Sequence, residues 1–277
     1  MQLSISEQLT HSTVRIEVLN EAHQIQSTGT GFFFHYSIKD KTVPVLVTNK
    51  HVVKDAKFGK LVFTVASGDN NPMYGETFSY IIVDFEEAFI FHPDVNVDLC
   101  IMPMVPVIED ARASHNKNLF TISLDESIIP STEQIRNLSV LEDVIMVGYP
   151  NGLWDEANNL PIIRRGITAV HPKFDYNHKT DIVVDIASFP GSSGSPICIF
   201  NQGSFANGNA INIGNRFLLL GILYAGPQQT AIGEIHTVDI PTSVVPIART
   251  NIMMNLGYAV KSSRLLDFKS ILETLVR

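Results

Sequence analysis

Short apolar runs separated by turn-forming residues make up most of this chain. Residues 61–65, 80–83 and 217–223 are examples, and each is rich in Val, Ile or Phe. Gly, Pro, Asn and Asp lie between the runs, a pattern that is typical of an all-β sandwich or barrel. We therefore predict an all-β fold.

Helical periodicity is clear only near the C-terminus. Six apolar residues there recur at spacings that place them on one face of a helix. They are Leu265, Leu266, Phe268, Ile271, Leu272 and Leu275. We predict a helix over residues 259–277 that packs this face against the rest of the chain. Docking of a partner protein on the same face is the alternative.

The length of 277 residues indicates about two domains. Residues 125–139 are polar, contain a proline and interrupt the strand pattern, so we predict an interdomain linker there. The chain then divides into residues 1–124 and residues 140–258, followed by the C-terminal helix. The sequence contains no internal repeat.

Charge and hydropathy argue against two classes of partner. The net charge is −8 at pH 7, which gives no electrostatic support for binding nucleic acid. No apolar run approaches the roughly 18 residues that cross a bilayer, so we expect no membrane association.

The N-terminus and the cysteines indicate a cytoplasmic protein. The first eight residues lack the basic region and the apolar core of a secretion signal. The two cysteines, Cys100 and Cys198, lie inside apolar runs, where we expect buried thiols rather than a disulfide.

Residues 189–196, Phe-Pro-Gly-Ser-Ser-Gly-Ser-Pro, form the segment most suggestive of chemistry. Glycines on both sides of a serine allow a tight turn that exposes the hydroxyl and aims backbone N–H groups at a substrate. Gly, Ser and Pro are also ordinary turn residues, so the segment alone is weak evidence. Ser193 has the Gly-x-Ser-Gly frame, which favours it as nucleophile over Ser192 and Ser195.

Two upstream residues supply the partners that a nucleophilic serine requires. His51 lies just after an apolar run that ends in Thr-Asn, with one lysine between them, and Asp98 lies within an apolar segment where an unpaired charge is costly. Either residue alone would be assigned a structural role. The chain order His51, Asp98, Ser193 is one of the known orders of the Ser-His-Asp triad.

These three segments resemble those of the chymotrypsin-like (trypsin-like) serine peptidases, and most closely the bacterial high-temperature-requirement type without its appended peptide-binding domain. Weaker likenesses occur in family order along the chain. They lie at residues 27–33, 144–152, 165–168, 180–185, 221–226 and 238–241. The resemblance implies two six-stranded antiparallel β-barrels with a C-terminal helix. His51 and Asp98 would come from the first barrel and Ser193 from the second.

The resemblance also implies a serine endopeptidase that acts through an acyl-enzyme. The backbone N–H groups of Gly191 and Ser193 would form the oxyanion hole. Ser192 stands where digestive relatives carry an aspartate that pairs with a newly cut N-terminus. We therefore expect activity without N-terminal processing.

Substrate specificity is predicted by position in the family pattern. Ala187 lies where trypsin carries the aspartate of its specificity pocket, so a medium aliphatic side chain is favoured. Asp185 or Asp239 could instead give the pocket a charge. The backbone of Tyr224, Ala225 and Gly226 would pair with an extended substrate.

No cofactor or metal site is predicted. The nine histidines form no pair with the spacing of a zinc site, and no phosphate-binding loop is present. Two other functions remain possible: an inactive peptidase fold that only binds, and a regulator whose proteolysis depends on a docked partner. We expect a restricted protein or peptide substrate and a possible regulatory protein partner.

Overall fold

The computed structural model describes residues 3–207, 210–234 and 247–275. The fold is mostly β-strand, as the short apolar runs predict. Its strands divide into two groups, within residues 13–125 and residues 143–261.

The N-terminal half forms a nine-stranded sheet. Its strands are β1 (Thr13–Leu19), β2 (Ile25–Ile38), β3 (Lys41–Thr48), β4 (Phe58–Ala66), β5 (Pro72–Val83), β6 (Ile90–Phe91), β7 (Cys100–Pro103), β8 (Leu119–Phe120) and β9 (Leu124–Asp125). They are hydrogen-bonded in the order β5-β4-β1-β2-β3-β7-β6, with β8 beside β4 and β9 parallel to β2.

The pairing of this half differs from the predicted closed six-stranded barrel. The sheet has β5 at one end and β6 at the other. β6 has only two residues, Ile90–Phe91, so it offers little backbone for closing the sheet against the twelve-residue β5.

The C-terminal half forms the predicted closed barrel of six strands, in the order β10-β11-β12-β19-β16-β13. The strands of this half, including two hairpins outside the barrel, are β10 (Asp143–Gly148), β11 (Ile162–Thr168), β12 (Asp181–Asp185), β13 (Pro196–Asn201), β14 (Ser204–Asn207), β15 (Ala210–Ile213), β16 (Arg216–Ala225), β17 (Gln228–Glu234), β18 (Ile247–Met253) and β19 (Leu256–Lys261). β19 continues past the predicted domain boundary at residue 258.

Helices are short among the described residues. They are α1 (Ile5–Thr10), α2 (Lys50–Val53), α3 (Val105–His115), α4 (Thr132–Asn137) and α5 (Lys269–Leu275), with 3-10 turns at Glu86–Ala88, Glu126–Ile128, Pro150–Gly152 and Ser262–Phe268. The helix α3 is not predicted by the sequence, because it buries only Val107 and Ala111 and therefore has a weak apolar stripe. No helix in the described part of the chain is long and apolar enough to span a bilayer.

The C-terminal segment packs against the rest of the chain, as predicted. It begins with the 3-10 turn and continues as α5, rather than forming one regular helix. Leu265, Phe268 and Leu272 are buried in a core that contains residues of both halves, whereas Leu266 and Leu275 are exposed. We call the core that contains Leu265, Phe268 and Leu272 the shared core. Each half also has an apolar core of its own.

Candidate active site

His51 is presented by the end of a strand. β3 ends at Thr48 and the short helix α2 begins at Lys50, so His51 lies in the first turn of that helix. The following residues, Val52 and Val53, are buried and fix the helix on the sheet. The side chain of His51 remains 47% exposed.

Asp98 lies two residues before β7, and strand pairing brings it to His51. Cys100 of β7 pairs with Thr48 of β3, so the start of one strand lies beside the end of the other. Asp98 Oδ2 lies 2.5 Å from His51 Nδ1, and Asp98 Oδ1 accepts the backbone N–H of His51 at 3.1 Å. Asn49 Nδ2 donates to the carbonyl of Asp98 at 2.7 Å.

The contact with Asp98 decides the tautomer of the histidine. An ionised carboxylate only accepts hydrogen bonds, so His51 Nδ1 carries the proton. In the neutral ring, Nε2 is then the acceptor. That is the arrangement a general base requires.

Ser193 lies in the loop between β12 and β13, and two successive turns shape this loop. The N–H of Ser192 donates to the carbonyl of Phe189, and the N–H of Ser195 donates to the carbonyl of Ser192, both at 3.0 Å. The third residue of each turn is a glycine with positive φ, +86° at Gly191 and +89° at Gly194. Turns of this kind favour glycine at that position, which explains the Gly-x-Ser-Gly frame.

Exposure separates the three serines that compete as nucleophile. Ser192 and Ser195 are each 0% exposed, and Ser193 alone of the three is partly exposed. Its hydroxyl donates to the carbonyl of Tyr224 at 3.4 Å.

The same loop leaves two N–H groups available. Those of Ser192, Gly194 and Ser195 donate to backbone carbonyls. Within the described chain, the N–H groups of Gly191 and Ser193 have no hydrogen-bond partner. These are the two groups that the sequence predicts for an oxyanion hole.

Thr30 of β2 connects the loop to the N-terminal half. Its N–H donates to the carbonyl of Ser193 at 2.9 Å, and its hydroxyl donates to the carbonyl of Gly191 at 2.9 Å. The carbonyl of Thr30 in turn accepts the hydroxyl of Thr48, at the end of β3, at 2.8 Å. The nucleophile loop is therefore hydrogen-bonded to the strands that precede His51.

A cavity of about 270 Å³ lies beside Ser193. Its lining includes Ser188, Phe189, Leu223, Ala225, Gly226 and Met253. Ala225 and Gly226 thus lie where the sequence predicts substrate contact. Leu223 and Met253 also line the cavity and were not predicted.

Ala187 is not one of the described residues that line this cavity. Its carbonyl accepts a hydrogen bond from Arg164 Nη1 at 2.9 Å, and the neighbouring Ser188 lines the cavity instead. Asp185 is exposed at the end of β12 and is absent from the lining. Asp239 lies outside the described residues.

Burial shifts the pKa of two groups near His51 and Asp98. It lowers the pKa of Lys50, whose ammonium donates to the carbonyl of Asp94 at 3.0 Å. It raises the pKa of Tyr224, whose hydroxyl donates to Asp181 Oδ2 at 2.8 Å. No cluster of His, Cys, Asp and Glu that could hold a metal occurs among the residues described.

A family model described as the trypsin-like peptidase domain matches residues 29–206, more than half of the chain. The chain belongs to this family. It is a trypsin-like serine peptidase, a hydrolase that acts on protein or peptide substrates. A search of curated proteins finds no match.

Two solved structures of Rv3671c from M. tuberculosis also align with this peptidase. The inactive mutant form shares 13% identity at a TM-score of 0.43, and the alignment covers 99% of this chain and 91% of that one. The active form, described as a protease, shares 15% identity at a TM-score of 0.45, with coverage of 93% and 79%. Similarity at this level adds nothing to the family assignment. The likeness to the high-temperature-requirement type stays a prediction.

Proposed function

We propose that the chain is an endopeptidase in which Ser193 is the nucleophile, His51 the general base and Asp98 the residue that orients His51. The observation that carries this proposal is the pairing of Asp98 with His51 Nδ1, because it leaves Nε2 free to accept a proton. The exposure of Ser193 between two buried serines supports its role.

The reaction follows from these roles. As Ser193 Oγ bonds to the substrate carbonyl carbon, its proton passes to His51 Nε2. The negative charge on the substrate oxygen is stabilised by the N–H groups of Gly191 and Ser193. Collapse of this intermediate breaks the peptide bond, and His51 returns the proton to the departing amine. Water, activated by His51, then hydrolyses the acyl-enzyme.

The cavity beside Ser193 supports a preference for an uncharged, medium-sized apolar side chain. Phe189, Leu223 and Met253 provide apolar walls, and no Asp or Glu among the described residues lines the cavity. Ala225 and Gly226 also line the cavity, and their backbone would pair with an extended peptide.

A restricted protein substrate in the cytoplasm, and a regulatory partner, complete the proposal. Cys100 and Cys198 are both buried free thiols, as a reducing compartment favours. Burial raises the pKa of both thiols, so neither is poised to react.

Labelling with a fluorophosphonate probe tests the proposed nucleophile. We expect the native protein to be labelled and Ser193→Ala to be inert. Ser114→Ala, which removes an exposed hydroxyl on α3, is the matched control and should be labelled like the native protein. Labelling that persists in Ser193→Ala would refute the assignment.

A further inference from the structure

Tyr224 occupies an irregularity in the barrel. β16 and β19 pair with Leu223 opposite Ala259 and Ala225 opposite Tyr258, so Tyr224 is an extra residue in the ladder. Such bulges bend a strand locally and re-aim the groups of the extra residue. The carbonyl of this extra residue accepts the hydroxyl of Ser193.

The side chain of Tyr224 lies on the opposite side of the strand from the Ser193 cavity. Leu223 and Ala225 line that cavity. Tyr224 lines a second cavity of about 390 Å³, whose walls include Asp98 and Asp181. One residue therefore touches the proposed nucleophile through its backbone and shares a cavity with the proposed orienting carboxylate.

Asp181 fixes the far end of this tyrosine. It lies on β12, which is separated from β16 by β19, and its Oδ2 accepts the hydroxyl of Tyr224 at 2.8 Å. Asp181 is 7% exposed, and the ring of Tyr224 packs on the shared core. The side chain thus spans β19 and ends on a buried acceptor.

We propose that Asp181 and Tyr224 are a positioning pair that holds the bulge, and with it the carbonyl that faces Ser193 and the substrate-pairing backbone of Ala225 and Gly226. This inference rests on the proposed function, since it takes Ser193 as the nucleophile. Neither residue touches the reacting atoms through its side chain. Without the anchor the bulge relaxes, and a displacement of the nucleophile by a fraction of an ångström slows its attack.

The test measures the rate of fluorophosphonate labelling as a function of probe concentration, which separates the maximal rate from the probe affinity. We expect Tyr224→Phe and Asp181→Leu each to lower the maximal rate about tenfold, with the affinity changed by less than about twofold. Asp181→Asn keeps an oxygen acceptor of the same shape and should restore the rate to within about threefold of the native protein.

Tyr36→Phe is the matched control. Tyr36 is also buried and its hydroxyl donates to the carbonyl of Leu265 at 2.9 Å, far along the chain from the nucleophile loop. It should lower the melting temperature as Tyr224→Phe does, without slowing labelling. The positioning role is wrong if Tyr224→Phe labels as fast as Tyr36→Phe while Ser193→Ala is inert, and the proposed function then stands. Absence of labelling in the folded native protein would overturn both.

Discussion

The two halves of the molecule position their proposed catalytic groups by different means. The N-terminal sheet holds His51 through side chains, since both oxygens of Asp98 bond to it. The C-terminal barrel holds Ser193 through backbone geometry, in a loop with two glycines at positive φ. A proton acceptor needs a defined tautomer, which a partner side chain supplies. A nucleophile beside an oxyanion hole needs hydrogen-bond donors at fixed positions, and in this loop the backbone N–H groups are placed to supply them.

This difference predicts different failures when each half is altered. A substitution in the N-terminal half can remove an orienting group and leave the fold intact. Replacing a glycine of the nucleophile loop changes the path of the backbone itself, so activity and stability fall together.

The largest expected effect is that of Asp98→Asn. The amide can no longer fix the tautomer of His51, and the rate of probe labelling should fall by about 10⁴-fold. The melting temperature should change little, because the side chain keeps its shape. Asp143→Asn is the control, since it removes an exposed carboxylate from a surface pair with Arg165. If Asp98→Asn is labelled at the native rate, Asp98 does not orient His51 for catalysis.

Phe268→Ala tests the contact between the halves. Phe268 is 0% exposed within the shared core, so its truncation should lower the free energy of unfolding by about 3–5 kcal/mol. Leu266, two residues earlier, is 39% exposed, and Leu266→Ala should cost less than about 1 kcal/mol. Chemical denaturation of both variants measures the difference. Equal losses would mean that the C-terminal segment does not join the two halves.

Gly194→Ala tests the dependence of the C-terminal half on backbone geometry. A Cβ at this residue would meet the carbonyl oxygen of Thr30, and it would lie 2.6 Å from Thr48 Oγ1. We expect a loss of about 3 kcal/mol in the free energy of unfolding together with loss of labelling.

Gly203→Ala is its matched control. Gly203 has a nearly equal φ of +84° but has open space where the Cβ would lie. The strain of positive φ alone should cost about 1 kcal/mol, with labelling unchanged. If the two alanine variants lose the same stability, the close approach of Thr30 to the loop is unimportant.

Local signals in the sequence predict the strands and the three proposed catalytic residues. Short apolar runs between turn residues mark the strands, and Gly191 and Gly194 mark turns that need positive φ. The closed C-terminal barrel is confirmed. The nine-stranded pairing of the N-terminal half differs from the predicted six strands, because strand pairing depends on contacts between residues far apart in the sequence.

The site's finer structure also depends on long-range pairing. The bulge at Tyr224 arises from the register between β16 and β19, which no local pattern encodes. Asp181, which accepts the hydroxyl of Tyr224, lies 43 residues away along the chain. The prediction of Ala187 as a pocket residue relies on family position alone, whereas the next residue, Ser188, lines the cavity.

The smallest expected effect is a change in melting temperature on Asp181→Asn. It measures what the contact between Asp181 and Tyr224 does for the stability of the barrel, apart from the positioning role that we propose for it. Burial raises the pKa of Asp181 above its ordinary value. At neutral pH the folded protein therefore bears the cost of ionising a buried carboxylate, and this cost disappears as the pH falls toward the ordinary value of about 4. The neutral amide of Asp181→Asn has no such ionisation cost at any pH. The variant should melt about 1–3 °C above the native protein at pH 7, and the difference should close by about pH 4. Thermal melts across this range measure it, with Asp143→Asn as the exposed control. The opposite outcome is that the native protein melts at a higher temperature than Asp181→Asn at pH 7. The negative charge of Asp181 would then strengthen its hydrogen bond with Tyr224 by more than the cost of burying the charge. In that case the contact that we assign to positioning would also stabilise the barrel.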